Sequence, residues 1–99
     1  MTMHVLALRM ELRLPAADSL KAKRSTITPI LEGARRRYQV AAAEIEDQDT
    51  WNRAVLGFTA VSGSAAHTET VIDQVDRFVW SFPEVEVVDA ARSWLEEDR

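Results

Sequence analysis

The hydrophobic period of this chain switches between two and about 3.6 residues, and the order of the switches constrains the fold more than any other feature. Over residues 3–14, His4, Leu6, Leu8, Met10, Leu12 and Leu14 alternate with Val5, Ala7, Arg9, Glu11 and Arg13, the pattern of a half-buried strand that Pro15 ends. From Leu20 the pattern is helical. Leu20, Ile27, Ile30, Leu31, Ala34 and Tyr38 fall on one side at about 100° per residue, with Pro29 nearly opposite them. A proline there removes one backbone bond on the solvent side, where a gentle outward bend accommodates it; a broken helix is the other reading. "QVAAAEIE" (39–46) and "NRAVLGFTAVSG" (52–63) read as two further strands joined by the polar connection "DQDT". The second is apolar on both faces, which places it centrally in a sheet. Ser64 caps a second helix with the stripe Val71, Ile72, Val75, Phe78, Val79 and Phe82, stopped by Pro83. "EVEVVDA" (84–90) opens a fourth strand running on towards Trp94, and the tail "LEEDR" reads as a frayed end.

The order β-α-β-β-α-β is that of two βαβ-like units joined by a hairpin, a split βαβ or ferredoxin-like sandwich. The expected architecture is α+β: a four-stranded antiparallel sheet in the order 4-1-3-2 with both helices on one face. Residues 1–99 make one domain with one core. No apolar run approaches the ~18 residues of a membrane span, and the alternation at the N-terminus reads as a strand rather than a signal peptide. No membrane partner is expected. The absence of cysteine excludes disulfides, thiol catalysis and thiolate metal sites, and fits the expected cytoplasmic location.

Charge divides unevenly. Residues 1–38 hold eight Lys/Arg and three Asp/Glu, residues 39–99 four and thirteen, for a net charge of −4. Overall acidity argues against non-specific coating of DNA, and no DNA partner is expected; a local basic patch remains open. Lys21, Lys23 and Arg24 in "DSLKAKRS" stand at a helix start, where the macrodipole disfavours cations by a few tenths of a kcal/mol. With Leu20 as origin, Arg24 lies near ~40°, Lys21 near ~100° and Lys23 near ~300°, flanking a stripe centred near ~340°, so all three are expected to snorkel at its edges. Arg35, near ~60°, continues the side of Arg24 and Lys21 about 16 Å further along. Arg36 and Arg37 complete a basic last turn, which the dipole favours. One reading is solvated helix edges pairing with the acidic half of the chain. The other is a site for phosphate or carboxylate groups.

The remaining constellations are weaker. Glu44, Glu46, Asp47 and Asp49 crowd the hairpin, but without calcium-loop spacing they read as solvated, with Trp51 as a lid. His4 and His67 form no site. The open sheet face is expected to show Val5, Ala7, Arg9, Glu11 and Arg13 from the first strand and Val55, Gly57, Thr59 and Val61 from the third. No aromatic stands there to stack bases. Its mixture of small apolar groups and Arg/Glu pairs suits a homodimer through the face or an edge, with Arg9, Glu11, Arg13 and the outward-facing Trp80 as interface candidates.

Four strings, "LRMELRLPAADSLKAKRS", "VAAAEIEDQDTWNRAVLGFTAVS", "VIDQVDRFV" and "EVEVVDA", together give the chain a likeness to a known family. It resembles the YlxP-like family of small bacterial proteins, a family of unknown function. Ser19, Leu20, Lys21, Lys23 and Arg24 match its "SLKxKR" string. Glu44, Asp47, Gln48, Trp51, Arg53, Ala54 and Gly57 match "AExxDQDxWxRAxLG". Pro29, Trp80 and Trp94 depart from the pattern. The resemblance implies a ferredoxin-like fold and genes near those for translation initiation and ribosome maturation, and it implies no catalytic residue. The combined expectation is a non-enzymatic protein without cofactor or metal, a homodimer. Its Lys21, Lys23, Arg24 and Arg35 would contact phosphates of a structured RNA or the ribosome. The alternative is a small regulatory module binding an anionic metabolite at a dimer interface.

Overall fold

The structure, a computed structural model, describes residues 2–95; residues 96–99, the body of the tail expected to fray, lie outside them. Six elements follow the expected order: β1 (His4–Arg13), α1 (Leu20–Tyr38), β2 (Ala41–Glu46), β3 (Arg53–Ser62), α2 (Ala65–Trp80) and β4 (Glu86–Leu95). The strands form one sheet in the order β2-β3-β1-β4, every neighbouring pair antiparallel. Leu6, Leu8, Met10 and Leu12 of β1 and Ala54, Leu56, Phe58 and Ala60 of β3 point into a single core with Ile27, Ile30 and Ala34 of α1 and Ile72, Val75 and Val79 of α2. Both helices therefore cover one sheet face, and the other face has no layer over it.

The boundaries have local causes. Ser19 caps α1, its hydroxyl accepting from the Ala22 N–H at 3.1 Å. Pro29 sits on the exposed side of a helix that continues through it. Gln39 takes the left-handed conformation (φ 55°) and donates its N–H to Arg35 O, which closes α1 and delays β2 to Ala41. Ser64 caps α2 through the His67 N–H, and Ser62 ties the cap to the buried Thr68. α2 ends at Trp80, before Phe82, because the residue preceding Pro83 is disfavoured in helical geometry. Phe82 still packs against the core from outside the helix.

The sheet is unequal along its length. β2 pairs only with residues 55–59 of β3, whereas β4 runs beside β1 from Arg13 to Val5, with a bulge opposite Glu11 and Leu12. β4 is an edge strand, exposed along most of its length. Ser19→Ala removes the α1 cap and is expected to cost about 1 kcal/mol. A calorimetric melting temperature lowered by roughly 4–8 °C would register that loss, and an unchanged one would show the cap to be idle.

Candidate functional site

The cations at the start of α1 separate into two kinds. Lys23 points inward and is 1% exposed. Its ammonium donates to the carbonyl oxygens of Asp47 at 2.6 Å and Thr50 at 2.5 Å, and lies 2.6 Å from Glu44 Oε2. Two hydrogen bonds and one ion pair thus hold the ammonium, all from the β2–β3 hairpin. Glu44 Oε2 is buried, and Lys23 approaches it obliquely as its one partner among the described residues. The same Asp47 carbonyl accepts the Thr50 N–H that closes the turn, and Asp47 holds a left-handed φ of 62°. Lys23 is a bolt between α1 and the hairpin tip, so it leaves the set expected to meet phosphate. The edge of the apolar stripe, where it was expected to snorkel outward, lies directly under the hairpin carbonyls. With that space filled, Trp51 stays half exposed rather than closing over the turn as a lid.

The other cations of α1 are exposed: Lys21, Arg24, Arg35, Arg36 and Arg37. Arg35 donates to the Ala42 carbonyl, and Arg37 lies over the Phe78 ring, 5.0 Å from its centroid. None of the five has an ion-pair partner among the described residues. Of the described arginines elsewhere, Arg77 of α2 is likewise exposed and without an ion-pair partner, and the four others are paired. Arg9 meets Glu46 at 3.2 Å, Arg13 meets Glu86 at 4.0 Å, and Arg53 meets Glu11 at 3.1 Å and Asp47 at 3.9 Å. Arg92 bridges Asp73 and Asp76 at 2.7 and 3.1 Å. The Asp73 hydrogen bond, against partial burial and with help from Asp76, raises the Arg92 guanidinium above its ordinary pKa. The acidic half of the chain therefore neutralises the sheet and leaves the outer side of α1 basic.

Beside that basic side, between α1 and α2, runs a groove of about 480 Å³ lined by Thr28, Glu32, Arg36, Arg37, Phe78 and Phe82, with Pro29 and Gly33. The two phenylalanines meet edge to face at 5.1 Å, and Tyr38 approaches Phe78 similarly at 5.7 Å. The helical stripe assigned these rings wholly to the core, so the groove went unread. Its signal is Gly33, where a Cβ would stand 2.6 Å from Phe78 Cζ.

The open sheet face carries the second candidate surface. Arg9, Glu11 and Arg13 share it, each ion-paired, but Trp80 stands apart, 62% exposed at the end of α2 on the helical layer. The structure does not bring these four into one interface. Val55, expected to be exposed here, is fully buried: Glu11 and Glu46 pair with it on either side, and their arginine partners enclose it. A shallow trough of about 450 Å³ crosses the face over Ala7, Ala41, Ala43, Gly57, Thr59, Ala91 and Ser93, with Ile45 and Arg9 at its rim.

His4 makes an edge-to-face contact with Trp94, and His67 is exposed at the start of α2. Among the described residues no group of three His, Cys, Asp or Glu is placed to hold a metal ion, and no helix is long and apolar enough to cross a membrane.

These features define a small open-faced α+β sandwich with a basic helix and a buried lysine bolt. The chain belongs to the family described as protein of unknown function DUF503, whose profile matches residues 5–92. It is similar to the uncharacterized protein YlxP of Bacillus subtilis (strain 168), 40% identical over 79 residues, covering 80% of this chain and 86% of that protein. Among solved structures it resembles the de novo designed protein Foldit4, with a TM-score of 0.56 at 13% identity over 98% of this chain and 100% of that one. It also resembles a de novo designed protein with a ferredoxin fold, LFR1 1, with a TM-score of 0.55 at 10% identity over 94% of this chain and 86% of that one. At these identities the likeness concerns the fold alone.

Proposed function

We propose that the chain is a non-enzymatic cytoplasmic binding protein that docks the outer side of α1 on the phosphates of a structured RNA, ribosomal RNA being the first candidate. One observation carries the reading: the exposed α1 cations have no ion-pair partner among the described residues, while the sheet arginines and Arg92 do. Lys21, Arg24, Arg35 and Arg36 lie within one sector of roughly 120°, and span about 22 Å along the helix, the reach of several phosphates on one strand. Glu32 interrupts the sector without neutralising it. The neighbouring groove supports the same reading, since an unstacked base can lie against Phe82 while its phosphate meets Arg36.

The test uses RNA from deproteinised bacterial ribosomes. Affinity is expected to fall log-linearly with salt, with a slope of about 0.7–0.9 per phosphate contacted. Lys21→Gln with Arg24→Gln should leave the melting temperature in place, weaken binding and flatten that slope by about one to two units. Arg13→Gln, on the opposite layer, is the control for general charge. Equal losses at Arg13 and on α1 would reduce the effect to diffuse charge. A nearly flat salt response, with competition by a small phosphate ester, would move the site to an anionic metabolite.

A further inference from the structure

We propose that the open sheet face is a homodimer interface, covered by the same face of a second copy. Cross-strand register sorts this face into rows. Val61, Val5 and Leu95 stand side by side across β3, β1 and β4 as a raised apolar ridge, with Val61 64% and Leu95 60% exposed. The next two rows, Ala41–Thr59–Ala7–Ser93 and Ala43–Gly57–Arg9–Ala91, are small apart from Arg9, which rises at the rim. They form the floor of the trough. A two-fold axis parallel to the rows, between ridge and trough, sets the ridge of each copy into the trough of the other. That is the self-complementarity a closed dimer requires. Two sheets stacked in this way fall in the aligned class, about 10 Å apart.

Charge and area agree with a second copy as the occupant. The ionic groups bordering the trough are neutralised within each chain, Arg9 by Glu46 and Glu11 by Arg53, and Asp89, without an ion-pair partner among the described residues, stands in the outer row beside Glu11 on the edge strand, where it can stay in water. Four strands at ~4.8 Å and four rows at ~6.8 Å give roughly 500 Å² of projected face per copy, about 1,000 Å² for the pair, the lower threshold of a biological interface before side-chain relief is added. The helical layers then lie on opposite outer sides of a four-layer assembly. The α1 surfaces stay free, so the dimer stands or falls independently of RNA binding.

Sedimentation equilibrium without RNA, from 1 to 500 µM, tests the proposal. The expected mass is twice the 11.2 kDa of the chain. Val61→Asp, at an exposed position whose change should leave the melting curve of the protomer intact, is expected to raise the dissociation constant at least 100-fold; Leu95→Asp should do the same. Trp80→Ala should change nothing. Because the chain has no cysteine, Val61→Cys chains mixed with Thr59→Cys chains, whose positions the axis brings together on β3, should cross-link to each other under oxidation. A monomer mass at 500 µM would overturn the proposal. So would a dimer that survives Val61→Asp combined with Leu95→Asp, or one whose mixed chains fail to cross-link.

Discussion

Lys23→Met is expected to destabilise the protein by about 3–5 kcal/mol, the cost of removing one partner from a buried ion pair. Methionine keeps most of the stem, so the loss falls on three acceptors rather than on packing. The Glu44 carboxylate loses its counter-ion and the Thr50 carbonyl its Lys23 donor, and the Asp47 carbonyl keeps only the Thr50 N–H, in a part-buried site. Against a typical total of roughly 5–15 kcal/mol, that is a large share of the fold's margin. Urea denaturation followed by tryptophan fluorescence reads the effect directly. Adding Glu44→Leu to Lys23→Met should recover part of the loss, because it removes the stranded carboxylate. A Lys23→Met midpoint within about 1 kcal/mol of the parent would show that the bolt carries no load.

Gly33→Val is expected to cost about 1–3 kcal/mol by overpacking the seam between the helices. The first added carbon would stand 2.6 Å from Phe78 Cζ. Phe78 has little room to retreat, with Tyr38, Phe82 and the Arg37 guanidinium around its ring. Phe78→Ala in the Gly33→Val background opens the space again. The double variant should therefore lose less than the sum of the two single losses. Strict additivity in urea midpoints would mean that the contact does not limit the helix approach.

The architecture was legible because period two and period 3.6 are written into single residues. The run from His4 to Leu14 can bury one face only as a strand, and Ile27, Ile30 and Ala34 share a face only as a helix. Val55 shows the first limit of that reading. Its period places it on the open face, but burial there is decided by ion pairs from β1 and β2 that no local pattern announces. Lys23 shows the second. Its angle put it beside the buried stripe, and nothing in α1 says whether a lysine at that angle turns outward to water or inward. The answer comes from hairpin carbonyls 24 and 27 residues away in sequence. The clue was the joint presence of the "SLKxKR" and "AExxDQDxW" strings, which the fold turns into one contact. The exposed cations of α1 were legible as a group; their lack of ion-pair partners required knowing where the acidic residues go.

β4 exposes another side of the design. A ten-residue edge strand offers its outer backbone donors and acceptors to any extended chain that arrives, and Val88, Trp94 and Leu95 add exposed apolar contact. Glu86, Asp89 and Arg92 divide that strand into short segments, and the bulge opposite Glu11 and Leu12 twists its line. These features act as gatekeepers against runaway strand addition, a form of protection that melting temperatures do not report. Neutralising Glu86 and Asp89 would leave the fold almost untouched and lower the concentration at which the protein begins to aggregate.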